Sequence, residues 1–115
     1  MSTYQRLDPV ERDDAQTMID SGDSRAASAA ILRLALHDPD GDRVTDRALG
    51  LLDSADADVR AVAATALGHI ARLHRSIDRE NVVPALRALL SDPKTAGRAG
   101  DALDDIAMFA PHDQR

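Results

Sequence analysis

An internal period of 36 residues, written in small apolar side chains, constrains this chain more than any other feature. Superposing the sequence on itself at that spacing aligns Ala27 with Ala63 and Ala99, and Ala30 with Ala66 and Ala102. Ile31, Leu67 and Leu103 follow, then Leu34, Ile70 and Ile106, then Ala35, Ala71 and Ala107. Within each copy these positions fall at i, i+3, i+4, i+7 and i+8, which is one apolar face of an α-helix. Chance supplies one such row, but not five in the same register, and a repeat of this length decides the architecture. The side chains carry a second message. Alanine buries little surface, so a helix face built of it, as in "DADVRAVAATALGHIA" at 56–71, implies that another helix lies very close.

Each of these helices follows another that ends in an apolar pair: Met18-Ile19, Leu51-Leu52 and Leu89-Leu90. The punctuation agrees. Asp8 before Pro9, with Glu11 three residues on, reads as a helix cap followed by proline in the first turn. "DSGDS" at 20–24 stops one helix at Gly22 and starts the next at Asp23 or Ser24. "HDPDGD" at 37–42, with Asp42 as cap, "DSADAD" at 53–58, "HRSID" at 74–78 and "SDPKT" at 91–95 mark the other turns. Six helices are expected, near 8–21, 24–37, 42–53, 57–74, 79–91 and 95–109. The expectation is an all-α fold, an αα-solenoid of three helix pairs. At 115 residues the chain is one domain, 1–115, with repeats of about 8–37, 42–74 and 79–109. The polar "ERDDAQ" of the first helix reads as an end cap.

"LLDSADADVRAVAATALGHIA" resembles a HEAT repeat of the short bacterial HEAT-like type, also found in chromophore lyases. The resemblance rests on Leu51, Leu52, Asp56, Val59, Arg60, Ala63, Ala66, Leu67, Gly68 and Ile70. "VVPALRALLSDP", with Pro84, looks like the first helix of a further copy, although Val-Arg is missing from the helix after it. The resemblance implies helix pairs stacked in series, and gives Gly68 a role in close packing against the next repeat.

Charge narrows the function. The net charge is −6, the bases are almost all arginine with Lys94 the only lysine, and only Tyr4 and Phe109 are aromatic. An acidic chain argues against nucleic-acid binding, which needs a basic footprint on phosphates, and favours basic partners. The absence of cysteine fits a reducing, cytoplasmic setting. No apolar run reaches the ~20 residues that span a bilayer, and "MSTYQRLDPVERDD" lacks the apolar core of a signal peptide. The alanine, aspartate and arginine bias suits a G+C-rich bacterial genome.

Reactive constellations are scarce. Asp38, Asp40 and Asp42 alternate as in a calcium loop, but counting from Asp38 positions six and twelve hold Arg43 and Leu49 instead of glycine and glutamate. The turn is better read as helix capping. His37, His69, His74 and His112 form no His-Glu-x-x-His, no zinc-finger spacing and no His-Glu dipeptide of the kind HEAT-like iron enzymes use. "GRAG" at 97–100 is too short to cradle a phosphate, and Asp101, Asp104 and Asp105 read as a solvated helix side. No catalytic residue, cofactor or metal is expected.

The side of each second helix opposite the core is where a HEAT-like module meets a partner. It carries Ala29, Thr65 and Asp101; Leu32, Gly68 and Asp104; Arg33, His69 and Asp105; and Leu36, Arg72 and Met108. Candidate partner-binding residues are therefore Arg33, Thr65, His69, Arg72, Asp101, Asp104, Asp105 and Met108. They run from basic and neutral in the first repeat to acidic in the third, which suits a partner bearing arginine or lysine. The expected function is a non-enzymatic protein-binding module, in its specific form an immunity- or antitoxin-like protein sequestering a basic partner. Alternatives are an accessory subunit or chromophore-lyase-type protein, and a nucleic-acid-binding HEAT protein that the charge disfavours.

Overall fold

Aspartate side chains start four of the six helices. Asp23, Asp40, Asp56 and Asp78 each stand before a helix and accept a hydrogen bond from a free backbone N–H of its first turn. The computed structural model describes residues 8–111; Tyr4 and the His112-Asp113 pair lie outside the described residues. The helices are α1 (Arg12–Asp20), α2 (Ser24–His37), α3 (Gly41–Leu51), α4 (Ala57–His74), α5 (Arg79–Ala88) and α6 (Ala96–Phe109). A short 3-10 turn, Leu89–Ser91, extends α5, and no strand occurs among the described residues. The fold is all-α.

Two of the expected caps move. Asp40 rather than Asp42 caps α3, accepting from the Arg43 N–H at 3.1 Å, so Asp42 falls inside the first turn. Helix α1 begins at Arg12, not beside Asp8 and Pro9, and Glu11 precedes it with extended backbone and no side-chain cap. The reason lies in another helix. Arg33 on α2 donates to the carbonyls of Asp8 (2.8 Å) and Pro9 (3.2 Å), which holds 8–11 as a strap instead of a helical turn. Arg12 adds a second clamp, its guanidinium bidentate on Asp38 at 2.9 Å for each contact. The terminators follow their chemistry: Gly22 takes φ +80°, and Arg75, left-handed at φ 58°, closes α4 with its guanidinium 5.1 Å from the Phe109 ring centroid.

The most extensive packing joins α2 to α4 and α4 to α6. Helices α1, α3 and α5 each pack chiefly on the helix that follows. Helix α4 is therefore central, and Ala63, Ala64, Ala66, Leu67, Ile70 and Ala71 along it are essentially inaccessible. The rows aligned at 36 residues form the core in all three copies, with two departures, both on α6. Leu103 is half-buried and Ala107 is exposed, whereas their counterparts Leu67 and Ala71 are fully buried. No described helix follows α6 to cover the side that α4 turns toward its successor. No helix among the described residues is long and apolar enough to cross a membrane.

Candidate partner-binding face

Gly68 sets the distance between the two helices that carry the face. A Cβ placed there would lie 2.9 Å from Asp105 Oδ2 and 3.2 Å from the Cα of Ala102. Glycine suits this position because a methyl would require the α6 backbone at Ala102 to give by a few tenths of an ångström. With α4 and α6 this close, their outward side chains interlock around an open recess of about 290 Å³ lined by Thr65, His69, Arg98, Asp101, Ala102 and Asp105. Four of the sequence-predicted residues thus come together: Thr65, His69, Asp101 and Asp105.

Arg72 closes one end of this group. Its Nη2 donates to His69 Nδ1 at 2.7 Å, and its Nη1 stands 4.0 Å from Asp105 Oδ2. The first contact requires a neutral imidazole with its proton on Nε2. Burial accordingly lowers the His69 pKa below its ordinary value, the Arg72 charge lowers it further, and Asp105 opposes both. His69 is held as an acceptor. Arg98, absent from the sequence-derived set, donates from Nη1 to Thr65 Oγ1 at 2.9 Å and forms the opposite wall. Its signal was available, since it lies three residues before Asp101 on the same side of α6; the flanking Gly97 and Gly100 obscured it by weakening the helix pattern.

The other candidates divide. Asp104 and Met108 stand outside the recess on α6; Asp104 is exposed and Met108 is 71% accessible. Neither Asp101 nor Asp104 has an ion-pair partner among the described residues. Arg33 does not join the group: it is committed to the strap carbonyls at the α2 end. The remaining motif residues have structural partners. Asp38 is engaged by Arg12, which holds its carboxyl below the usual range, and Asp40 caps α3. The His74 ring packs on Gly41, within 3.2 Å of where a Cβ would stand. No group of three His, Cys, Asp or Glu among the described residues is placed to hold a metal ion.

Compared with protein-family models, with curated proteins and with solved structures, the chain matches none.

Proposed function

We propose that this chain is a non-enzymatic protein-binding module of the HEAT-like type, a short solenoid of three helix pairs that receives a partner with a basic surface. Support for the solenoid comes from the packing order, with α2, α4 and α6 in contact in succession and each first helix seated on its own partner. Support for the binding face comes chiefly from one observation: Asp101 and Asp104, without ion-pair partners among the described residues, lie two turns and one turn before Met108 on the same side of α6, and Met108 is 71% accessible. Exposed apolar surface beside uncompensated acids suits a partner that brings arginine or lysine around an apolar anchor. In its specific form the module is immunity- or antitoxin-like, acting in the cytoplasm on a cationic toxin. Recovery with the product of an adjacent gene, and protection of cells from it, is the expected behaviour.

Asp101 and Asp104 are the residues to reverse. Asp105 is half-buried against Gly68, so changing it would also disturb the contact of α6 with α4. Asp101→Lys with Asp104→Lys is expected to keep helicity and melting while slowing association by about tenfold or more at low salt. Stopped-flow association at two ionic strengths reads this. An unchanged rate would reduce the acidic side to a solubility feature.

A further inference from the structure

Away from that face, and sharing no lining residue with its recess, the first helices do not close up. Gly68 draws α4 and α6 together, but α3 and α5 make no comparable contact. Between them lies a cleft of about 430 Å³ lined by Leu49, Leu52, Asp53, Ala85, Ala88 and Leu89, with Asn81 at one end. We propose that this cleft is a docking groove for an amphipathic helix of another protein, whose aliphatic side chains enter against Leu49, Leu52 and Leu89 and whose basic side chain meets Asp53.

Three observations favour that occupant. Along α5 the wall facing the cleft is Asn81, Ala85 and Ala88, one stripe at i, i+4 and i+7. It bears no charge, although 30% of the chain is charged and the neighbouring exposed positions of α5 are Glu80 and Arg87. Small uncharged residues on a wall let a second helix approach closely. Asn81 to Leu89 spans about 12 Å at 1.5 Å per residue, enough for two anchors one turn apart.

The second observation is electrostatic. Asp53 is the single charged lining residue, exposed, and without an ion pair among the described residues. It follows the end of α3, whose last turn holds no basic residue to offset its carbonyls. Arg60 reaches nearby but donates to the Ser54 carbonyl (2.7 Å) and to Asp92 (3.2 Å). The cleft therefore joins an apolar floor to one uncompensated negative end, which selects a cationic partner. Third, a second copy of this chain fits poorly: of its large exposed apolar residues among the described ones, Met108 stands beside Asp104 and would bring acid toward Asp53, while the arginines beside Leu73 are already engaged, Arg72 by His69 and Arg75 over the Phe109 ring.

The test uses leucine-methyl NMR of the full chain at about 0.15 M salt, where long-range attraction is screened. The probes are two synthetic helices of about four turns, with leucine on one face and either lysine or glutamate on the rest. The lysine peptide should shift the methyls of Leu49, Leu52 and Leu89 and bind about tenfold more tightly than the glutamate peptide, a difference of about 1.4 kcal/mol. Asp53→Lys should weaken the lysine peptide by about tenfold with melting unchanged, and Ala88→Gln, which fills the wall without adding charge, should reduce the shifts. Because this cleft is separate from the acidic side of α6, the Asp101→Lys/Asp104→Lys variant should bind the peptide as the unaltered chain does. Shifts confined to Leu73 or Leu103, equal affinity for the two peptides, or no binding would overturn the proposal. So would concentration-dependent shifts at Leu49 and Leu52 without peptide, which would make a second copy the occupant.

Discussion

Adding one methyl at Gly68 and the same methyl at Gly100 isolates what the close approach of α4 and α6 is worth. Both glycines lie inside helices, so replacing either with alanine contributes about 1 kcal/mol of helix propensity. At Gly100 a Cβ meets nothing within 4 Å. Gly100→Ala should therefore keep the full gain and raise the melting temperature by about 4 °C, given roughly 4 °C per kcal/mol for a chain of this size. At Gly68 the methyl meets two neighbours of different kinds. The Asp105 carboxylate, at 2.9 Å, is the end of a flexible side chain and swings away. That move loosens its 4.0 Å pairing with Arg72, a partly exposed contact worth no more than about 0.5 kcal/mol. Ala102 Cα, at 3.2 Å, is backbone, so α6 as a whole must retreat by a few tenths of an ångström. Overpacking of this kind costs about 1–3 kcal/mol. The net for Gly68→Ala lies between about zero and 2.5 kcal/mol of destabilisation, and the two alanine variants should separate by about 1–3.5 kcal/mol. Gly68→Val adds two more carbons at the same point with less propensity gain and should lose about 3 kcal/mol. Urea unfolding followed by circular dichroism measures all three. If Gly68→Ala stabilises as much as Gly100→Ala, the close contact does not constrain the helices and the packing account fails.

Leu67→Asp places a charge at a fully buried position of α4, a cost of several kcal/mol that should abolish cooperative unfolding; a near-native melt would refute the helix register. His69 links stability to pH. Its folded pKa lies below the ordinary value of 6.5 that it regains on unfolding, so the unfolded chain binds the proton more readily. Stability should be full above that value and fall as pH drops from it toward the folded pKa, while His69→Gln should flatten this part of the profile. Equal slopes in the two proteins would show that His69 carries no such linkage. Arg33→Gln should speed proteolytic cleavage within residues 8–11, because the guanidinium holds the carbonyls of Asp8 and Pro9; unchanged cleavage would mean that the strap is held by Val10 and Arg12 instead.

Local chemistry was legible in the residues because its causes are local. Asp23, Asp56 and Asp78 cap helices through N–H groups two or three residues away, and the alanine rows mark a buried stripe whose period is that of the helix. At the start of α1 the expectation slipped because a distant residue intervened. Nothing near Asp8 reveals that Arg33, 25 residues on, takes its carbonyl and moves the start of α1 to Arg12. Ala107 matches Ala35 and Ala71 in register yet is exposed, since a repeat pattern does not say which copy lacks a successor among the described helices. The candidate face was found in part for the same reason. Thr65, His69, Asp101 and Asp105 share a helix side in the register and share a recess in space, while Arg33 has the right register and the wrong partner.

The sequence by itself determined that the chain is helical, where most helices start, and that 27, 30, 31, 34 and 35 and their counterparts at 36-residue intervals, Leu103 and Ala107 excepted, form the buried stripe, because these follow from periods and caps a few residues long. Tertiary structure alone decided how wide each gap is. Gly68 lets α6 come within contact of α4 and creates the recess of Thr65, His69 and Arg98, while α3 and α5, with nothing to draw them together, leave the cleft beside Asp53. Distances between helices depend on the side chains of both partners at once, and no single stretch of sequence contains both.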